Sequence, residues 1–408
     1  MFVDKLTAMQ IAHQTNKGYW SFGDRCYFSK IECLRDITTA AKKQPDVLHP
    51  SYGYHYFDEV FASLDWSKDP PYTLPQVYAE RARQIREQYD YVLLMYSGGA
   101  DSENMLNAFL TNGIKIDEIY SFAPLKVIDK ISGIFDGKDT SPRHLMFEHK
   151  LVVEPRLAQI SQQYPSIKIT VADTTEDTLD IIDNEQMHEI TCFGNMSPYF
   201  TYRKGLFDHA NAIKGKVCIL SGHDKPTIAY HPATAKFSAF FCDATISMPS
   251  VPEESRFVAK LAQDTITMEM FYYTKDFPQL WQTQCFAIKR AVESDPTLLG
   301  YLAPQAPSRV STASSCYLDI NHVVYEKILY PEIDIDAISF QVEKAQSFFF
   351  SETSTWFLNH SFVNKKTKDF YKGQVKEYIQ DVLVHFIQDG KEGRAAKFKQ
   401  MYTDPIHF

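Results

Sequence analysis

Residues 97–102 read Ser-Gly-Gly-Ala-Asp-Ser, directly after the apolar run "YVLLMY" and at the start of the helix-like "SENMLNAFLTNG". Each residue type in this stretch has a chemical use. Gly98 and Gly99 let a backbone turn sharply and approach a ligand with no Cβ in the way. The N–H groups of the turn and of the helix start, with the positive end of that helix, suit a phosphate or pyrophosphate. Ser97 and Ser102 add hydroxyl donors. Asp101 is the odd member, because a carboxylate repels a bare phosphate. It fits if a Mg²⁺ bridges it to the ligand, or if it caps the helix. The plain alternative is a ligand-free strand-to-helix turn, and the full pattern between a buried strand and an amphipathic helix argues against that.

The elements that must position this loop follow from the apolar spacing. A helix is expected over residues 75–88, with Pro75 at its start and Val77, Tyr78, Ala82 and Ile85 on one face. "YVLLMY" is a short run of buried-strand type, and Met105, Leu106, Phe109 and Leu110 recur at helical spacing before Gly113. "DEIYSFA", "IKITVAD" and "KVCIL" read as further strands, with helices in "VVEPRLAQISQQY" and over 198–213. Strands alternating with helices imply an α/β fold, a parallel sheet covered on both faces. Residues 1–75 mix strand-like pieces such as "GYWSFGDRCYFS" with turns, and Pro70-Pro71 mark a join. After about residue 250 the strand signal fades. "ESRFVAKLAQDTITMEMFYYT", "FPQLWQTQCFAIKRAVES" and "QVKEYIQDVLVHFIQ" read as helical. The expected organisation is a small N-terminal α+β region (1–75), an α/β domain (76–250) and a mainly helical C-terminal region (251–408).

The hexapeptide resembles the pyrophosphate-binding loop of the PP-loop (N-type) ATP pyrophosphatases. These include the synthetase domain of asparagine synthetase, β-lactam synthetase, argininosuccinate and GMP synthetases, tRNA lysidine synthetase and sulfonucleotide reductases. The resemblance spans residues 85–245. It implies a parallel, doubly wound sheet of the PP-loop (HUP-like) kind. It also implies ATP cleaved between its α and β phosphates, with pyrophosphate held by Ser97, Gly98, Gly99, Ala100 and Ser102. A second Ser-Gly, Ser221-Gly222, follows "KVCIL" and leads into His223, Asp224 and Lys225. Asparagine synthetase-like domains have a comparable turn that completes the pyrophosphate and magnesium site, although their Gly-rich, Asp-Glu ending is here His-Asp-Lys-Pro. Asp224 then shares a Mg²⁺ with Asp101, and Lys225 neutralises the leaving pyrophosphate. A surface turn ahead of Pro226 is the simpler reading of the same residues. By resemblance alone, Ala123 and Pro124 hold the adenine or ribose, and Leu94 and Met95 line the base.

Segments further along supply candidates for an acyl-adenylate site: Tyr272, Tyr273, Lys275, Gln284, Lys289 and Arg290, then Lys365, Lys366, Lys368, Tyr371 and Lys372. Charge runs are usually solvated faces, so each of these lysines competes with that reading. His223 is the histidine beside a ligand loop; His144, His149 and His360 have no partner spacing that suggests a triad or a metal.

Composition narrows the classes. A net charge of −9 disfavours a protein built to grip phosphate backbones. The seven cysteines form no C-x-x-C pair, which points to reduced, buried thiols; Cys26 and Cys33 lack a second ligand pair at zinc spacing. No stretch reaches the roughly 20 apolar residues of a membrane span, and "MFVDKLTAMQ" has charges where a signal peptide needs its apolar core. A cytoplasmic protein is expected. Phe2 stands where a glutaminase would place its cysteine nucleophile, and the segment before the loop is short for a glutaminase domain. The zinc cysteine cluster of deazaguanine synthetases and the C-terminal catalytic cysteine of sulfonucleotide reductases are lacking too. The chain looks most like the asparagine synthetase-like PP-loop proteins of phages and bacteria.

The reading is therefore an ATP- and Mg²⁺-dependent ligase that adenylates a carboxylate or carbonyl oxygen and lets a nitrogen nucleophile displace AMP. Two others stand beside it: a nucleobase- or tRNA-modifying relative, and an ATP-binding interaction protein without turnover. The expected partners are ATP and a small-molecule acceptor. Nucleic acid is not favoured, no membrane is involved, and a homo-oligomer is open.

Overall fold

A computed structural model describes residues 2–15, 18–28, 30–43, 52–126, 149–176, 204–222, 225–231, 234–241, 265–295, 297–298, 316–317, 322–335 and 403–408. In chain order the elements are α1 (Lys5–Thr15), β1 (Tyr19–Phe22), β2 (Arg25–Tyr27), α2 (Lys30–Lys43), β3 (Tyr52–His55), α3 (Asp58–Ala62), α4 (Leu74–Gln88), β4 (Tyr91–Met95), α5 (Ala100–Leu110) and β5 (Glu118–Ala123). A π-helical turn, His149–Val153, runs into α6 (Glu154–Gln163). Then come β6 (Lys168–Asp173), α7 (Lys204–Asn211), β7 (Val217–Ser221), β8 (Thr227–His231), β9 (Lys236–Phe240), β10 (Ile266–Met270), α8 (Pro278–Ser294), β11 (Cys316–Tyr317), α9 (His322–Leu329) and β12 (Ile406–His407).

The central layer is a five-stranded parallel sheet in the order β10-β7-β4-β5-β6. Its inner strands β4 and β7 are apolar on both faces because both faces are covered. Val92, Leu94, Ile119, Cys218 and Leu220 join the main core, where residues of α4, α5, α6 and α8 also lie. The alternate residues Leu93, Met95, Tyr120, Val217 and Ile219 pack with Leu206, Phe207 and Ala210 of α7. That period-two alternation is what a strand sandwiched between helices requires.

Two local signals set the helix leading into the site. Thr73 and Gln76 form a reciprocal capping box, with the Thr73 N–H donating to Gln76 Oε1 at 2.9 Å and the Gln76 N–H to Thr73 Oγ1 at 3.4 Å. Pro75 sits in the first turn, where its missing N–H leaves no ladder bond unmade. The expected apolar face is buried, and α4 packs against α5 and α8. Gly113, at φ +62°, turns the chain away after α5.

Around this layer, β2-β1-β3 form an antiparallel sheet and β11-β8-β9-β12 a second one. The strand-like pieces read in "GYWSFGDRCYFS" are β1 and β2, and α8 matches the helix read in "FPQLWQTQCFAIKRAVES".

One reading is corrected. Within "ESRFVAKLAQDTITMEMFYYT", read as helical, Ile266–Met270 is a strand paired parallel to β7. The sheet therefore continues beyond the boundary expected at 250. Five residues are too few for periodicity to separate a strand from a helix, and the open edge of β7 decides the conformation. The helix read in "QVKEYIQDVLVHFIQ" lies outside the described residues, as does the start of the one expected over 198–213. Among the described residues, no helix is long and apolar enough to cross a membrane.

Candidate functional site

Counting only the parallel strands in chain order, β4 is first, β5 second, β6 third, β7 fourth and β10 fifth, so their spatial order is 3-2-1-4-5. From β4 the chain moves to one side for β5 and β6, then returns to the other side for β7 and β10. The crevice beyond the carboxyl ends of β4 and β7 is a topological switch point, where open α/β sheets take ligands. Ser97–Ser102 follows β4 at that crevice, and Ser221 ends β7 beside it.

The two turns touch. A Cβ on Gly222 would lie 3.0 Å from the carbonyl oxygen of Asp101 and 3.2 Å from Ser102 Cα, so the absence of a side chain is what lets the second turn seat on the start of α5. Gly98 has φ +82°, and a Cβ there would lie 2.8 Å from Val153 Cγ2 in the π-helical turn. The helical ladder of α5 begins with the Glu103 N–H donating to the Gly99 carbonyl at 3.0 Å. The N–H groups of Ala100, Asp101 and Ser102 therefore precede the ladder and face the loop. Ser102 is buried; its Oγ donates to the Gly99 carbonyl at 2.9 Å and lies 3.3 Å from the Oγ of the exposed Ser97.

A clasp closes the loop from behind. Tyr96, just before it, donates its hydroxyl to Glu103 Oε2 at 2.7 Å, just after it. Arg156 of α6 grips the other oxygen, Oε1, through Nη2 at 2.5 Å and Nε at 3.0 Å. Burial raises the Tyr96 phenol well above its ordinary pKa, and the Glu103 charge adds to the rise, so Tyr96 stays a donor.

Asp101 is the meeting point of the site. Its Oδ1 lies 3.0 Å from Lys225 Nζ and accepts a short hydrogen bond from the Tyr330 hydroxyl. Its backbone carbonyl accepts from the Tyr272 hydroxyl at 2.8 Å, and Tyr272 in turn accepts from Asn104 Nδ2 at 2.9 Å. Lys225 also reaches Glu326 Oε1 of α9 at 2.8 Å. Burial works against the ammonium of Lys225, but the Asp101 and Glu326 carboxylates outweigh it and hold its pKa above the ordinary lysine value. Burial drives the Tyr330 and Tyr272 phenols well above their usual range, with the Asp101 charge adding to both. The result is a charged, hydrogen-bonded knot built from α5, the β7–β8 connection, the segment after β10, and α9.

Several expected residues come together here: Ser97, Gly98, Gly99, Ala100, Asp101, Ser102, Ser221, Gly222 and Lys225. His223 and Asp224 lie outside the described residues, as do Lys365, Lys366, Lys368, Tyr371 and Lys372. Leu94 and Met95, expected by resemblance to line a base, are core residues on opposite faces of the sheet. The strand geometry that buries them leaves no surface for a ligand. Of the C-terminal candidates Tyr272 reaches the site, and Gln284 hydrogen bonds to Tyr78. Lys275 lies over the Phe57 ring, Lys289 over Phe286, and Arg290 pairs with Asp69, so these three have other neighbours. Glu326, Tyr330, Arg156 and Glu103 went unread. The one signal available for the first two was their i, i+4 spacing on a short helix.

Two other polar groups lie apart from the loop. At the amino ends of the strands, Glu118 takes hydrogen bonds from Tyr91, Thr170 and Lys168 and contacts His209. Burial opposes its charge, but the Thr170, His209 and Tyr91 bonds outweigh that and lower its pKa. In the N-terminal sheet, His55 stands between Ser21 (2.9 Å) and Asp58 (2.7 Å). Ligand atoms of His55, Asp58 and Asp404 lie within 4.8 Å of one another. Ser21 is in the central strand of that sheet, whose N–H groups face paired neighbours on both sides, so among the described residues no oxyanion-binding pair stands beside it. The trio ties α3 to the sheet.

Comparison of the chain with protein-family models, with curated proteins and with solved structures finds no match.

Proposed function

We propose that this chain is an ATP-dependent, AMP-forming enzyme of the PP-loop kind, with a doubly wound sheet and an asparagine synthetase-like organisation. The reading rests on one observation, the contact between the two Ser-Gly turns at the switch point between β4 and β7. Two glycine turns, a helix start and the exposed Ser97 hydroxyl make a cradle whose open chemistry is donation to an anion. In this reading Ser97, Gly98, Gly99, Ala100, Ser102, Ser221 and Gly222 hold the pyrophosphate part of ATP. Lys225 supplies positive charge where the leaving pyrophosphate develops negative charge. Joining AMP to a carboxylate or carbonyl oxygen turns a poor oxide leaving group into a good one, and a nitrogen nucleophile then displaces AMP.

The test is the identity of the nucleotide product. Purified protein is incubated with Mg-ATP, with and without a small-molecule cell extract, beside the Asp101→Asn variant. AMP and pyrophosphate, strongly reduced in the variant, are the expected products. ADP, or no turnover despite ATP binding, overturns the adenylating reading.

A second reading, an ATP-binding interaction protein without turnover, is favoured by the state of Asp101. Its Oδ1 is already engaged by a cation, Lys225, and by the Tyr330 hydroxyl. ATP binding with no AMP formed in any extract selects this second reading.

A further inference from the structure

The donor set around Asp101 does not fit a divalent cation bound there beside Lys225. The ammonium nitrogen is 3.0 Å from Asp101 Oδ1 and 2.8 Å from Glu326 Oε1. Two oxygens from two carboxylates therefore face one point, and a cation is already at that point. The lysine side chain is 16% exposed, Glu326 9% and Asp101 31%, so Lys225 and Glu326 are largely withdrawn from water and Asp101 partly so. Around them stand the Tyr330 and Tyr272 hydroxyls, one on the Asp101 carboxylate and one on its backbone carbonyl.

We propose that Lys225 is a built-in cation that occupies the divalent-ion position between Asp101 and Glu326, so that the resting protein binds no metal at this carboxylate pair. The inference takes from the proposed function only the choice of site; it concerns the nucleotide-free protein and stands whether or not ATP is turned over.

The chemistry is a matter of charge and reach. Two carboxylates facing each other in a poorly hydrated place need a cation between them or a shared proton. Lysine supplies one positive charge on a flexible stem, and the pair with lysine keeps one net negative charge. A Mg²⁺-sized ion bonds oxygen at about 2.0–2.1 Å. Each oxygen would have to close on the lysine nitrogen position by less than roughly 1 Å to take such an ion instead. A divalent ion is thus within a short movement of both carboxylates, and the ammonium blocks it. Removing the ammonium while leaving both carboxylates should turn the block into a site.

The experiment titrates nucleotide-free protein with Mn²⁺ and reads free ion by electron paramagnetic resonance. Four proteins are compared: wild type, Lys225→Ala, Lys225→Ala/Glu326→Gln and Asp101→Asn. Wild type should take up no Mn²⁺ at this pair, with a titration matching that of Asp101→Asn. Lys225→Ala should bind one equivalent, roughly tenfold or more tighter than any wild-type binding, and the added Glu326→Gln should abolish the gain. Should Lys225→Ala fail to fold alone, the same titration is read as refolding: recovery of structure on adding Mn²⁺ supports the inference, and no recovery overturns it. Two results overturn the inference outright. One is wild-type Mn²⁺ binding that Asp101→Asn removes; the other is a folded Lys225→Ala that binds no better than wild type. Failure of AMP formation alone leaves every arm of this titration unchanged, so the two readings fail separately.

Discussion

Gly98 and Gly222 are the two positions in the site where a side chain has no room, and they fail in different ways. At Gly98 the backbone is left-handed, so Gly98→Ala carries a conformational cost of about 1–2 kcal/mol. The contact with Val153 adds to that cost. At Gly222 no such strain exists, and a methyl group only pushes the second turn off the Asp101 carbonyl. Gly98→Ala should therefore lower the urea midpoint clearly, whereas Gly222→Ala should weaken ATP binding more than it weakens the fold. Fluorescence-monitored unfolding and equilibrium nucleotide binding, run on both variants, decide this. His149 offers a pH-dependent prediction. It is 5% exposed, beside the loop-contacting valines, and its Nε2 has no hydrogen-bond partner among the described residues. Burial lowers its pKa; Glu154 opposes this and Lys150 reinforces it. The folded state thus holds His149 neutral, while the unfolded chain protonates it near pH 6.5. Its contribution is complete above that value and is lost as pH falls through the lowered folded pKa. His149→Phe should flatten the decline in stability between about pH 7 and about pH 5, measured by urea midpoints. At this scale the sequence was legible where chemistry is local. Ser97 to Ser102 announce themselves by type and spacing within six residues. Glu326 and Tyr330 do not, since their role depends on a partner 229 positions away for Tyr330, and no local pattern encodes that.

Among the elements, β4 and β7 were readable because strands buried on both faces are written as continuous apolar runs, and β5 and β6 because β-branched and aromatic residues cluster in them. β10 was not, because five residues with a buried glutamate in the fourth position satisfy either periodicity. Its glutamate is also what fixes it. Glu269, 8% exposed, pairs with the fully buried Arg81 of α4 at 2.9 Å and accepts the Tyr89 hydroxyl at 2.6 Å; Arg81 also donates to the Met270 carbonyl. The edge strand is thereby pinned to the helix that precedes the site. Arg81→Met leaves a buried carboxylate without its cation and should destabilise the protein by about 3–5 kcal/mol. The double variant Arg81→Met/Glu269→Leu should recover part of that loss, because no buried charge is left unpaired, although the Tyr89 hydroxyl and the Met270 carbonyl lose their partners. Denaturant titration of the two variants against wild type checks both statements.

Over the whole molecule, the three regions anticipated from the sequence share one apolar interior. Trp20 and Phe61 from the N-terminal part, Leu94 and Leu106 from the central part, and Tyr273 and Trp281 from beyond residue 250 belong to the same buried cluster. Tyr273 stacks on Phe61 at 3.9 Å and on Phe241 at 3.7 Å between ring centroids. Boundaries drawn at turns and proline pairs mark where the chain changes character, and contacts between distant aromatics are invisible to that method. Unfolding should accordingly be a single transition in which tryptophan fluorescence and far-ultraviolet circular dichroism share one midpoint. Separate midpoints would mean that the regions unfold on their own. The same long-range wiring has a consequence for biosynthesis. A ribosome delivers the loop at Asp101 well before it delivers Tyr330, and at about 5–20 residues per second the interval is roughly 10–50 s. Throughout that interval the nascent chain carries an Asp101 carboxylate that lacks its tyrosine. The emergence of α9 from the exit tunnel, more than the folding of the parallel sheet, is then the event that sets the polypeptide in its finished electrostatic state.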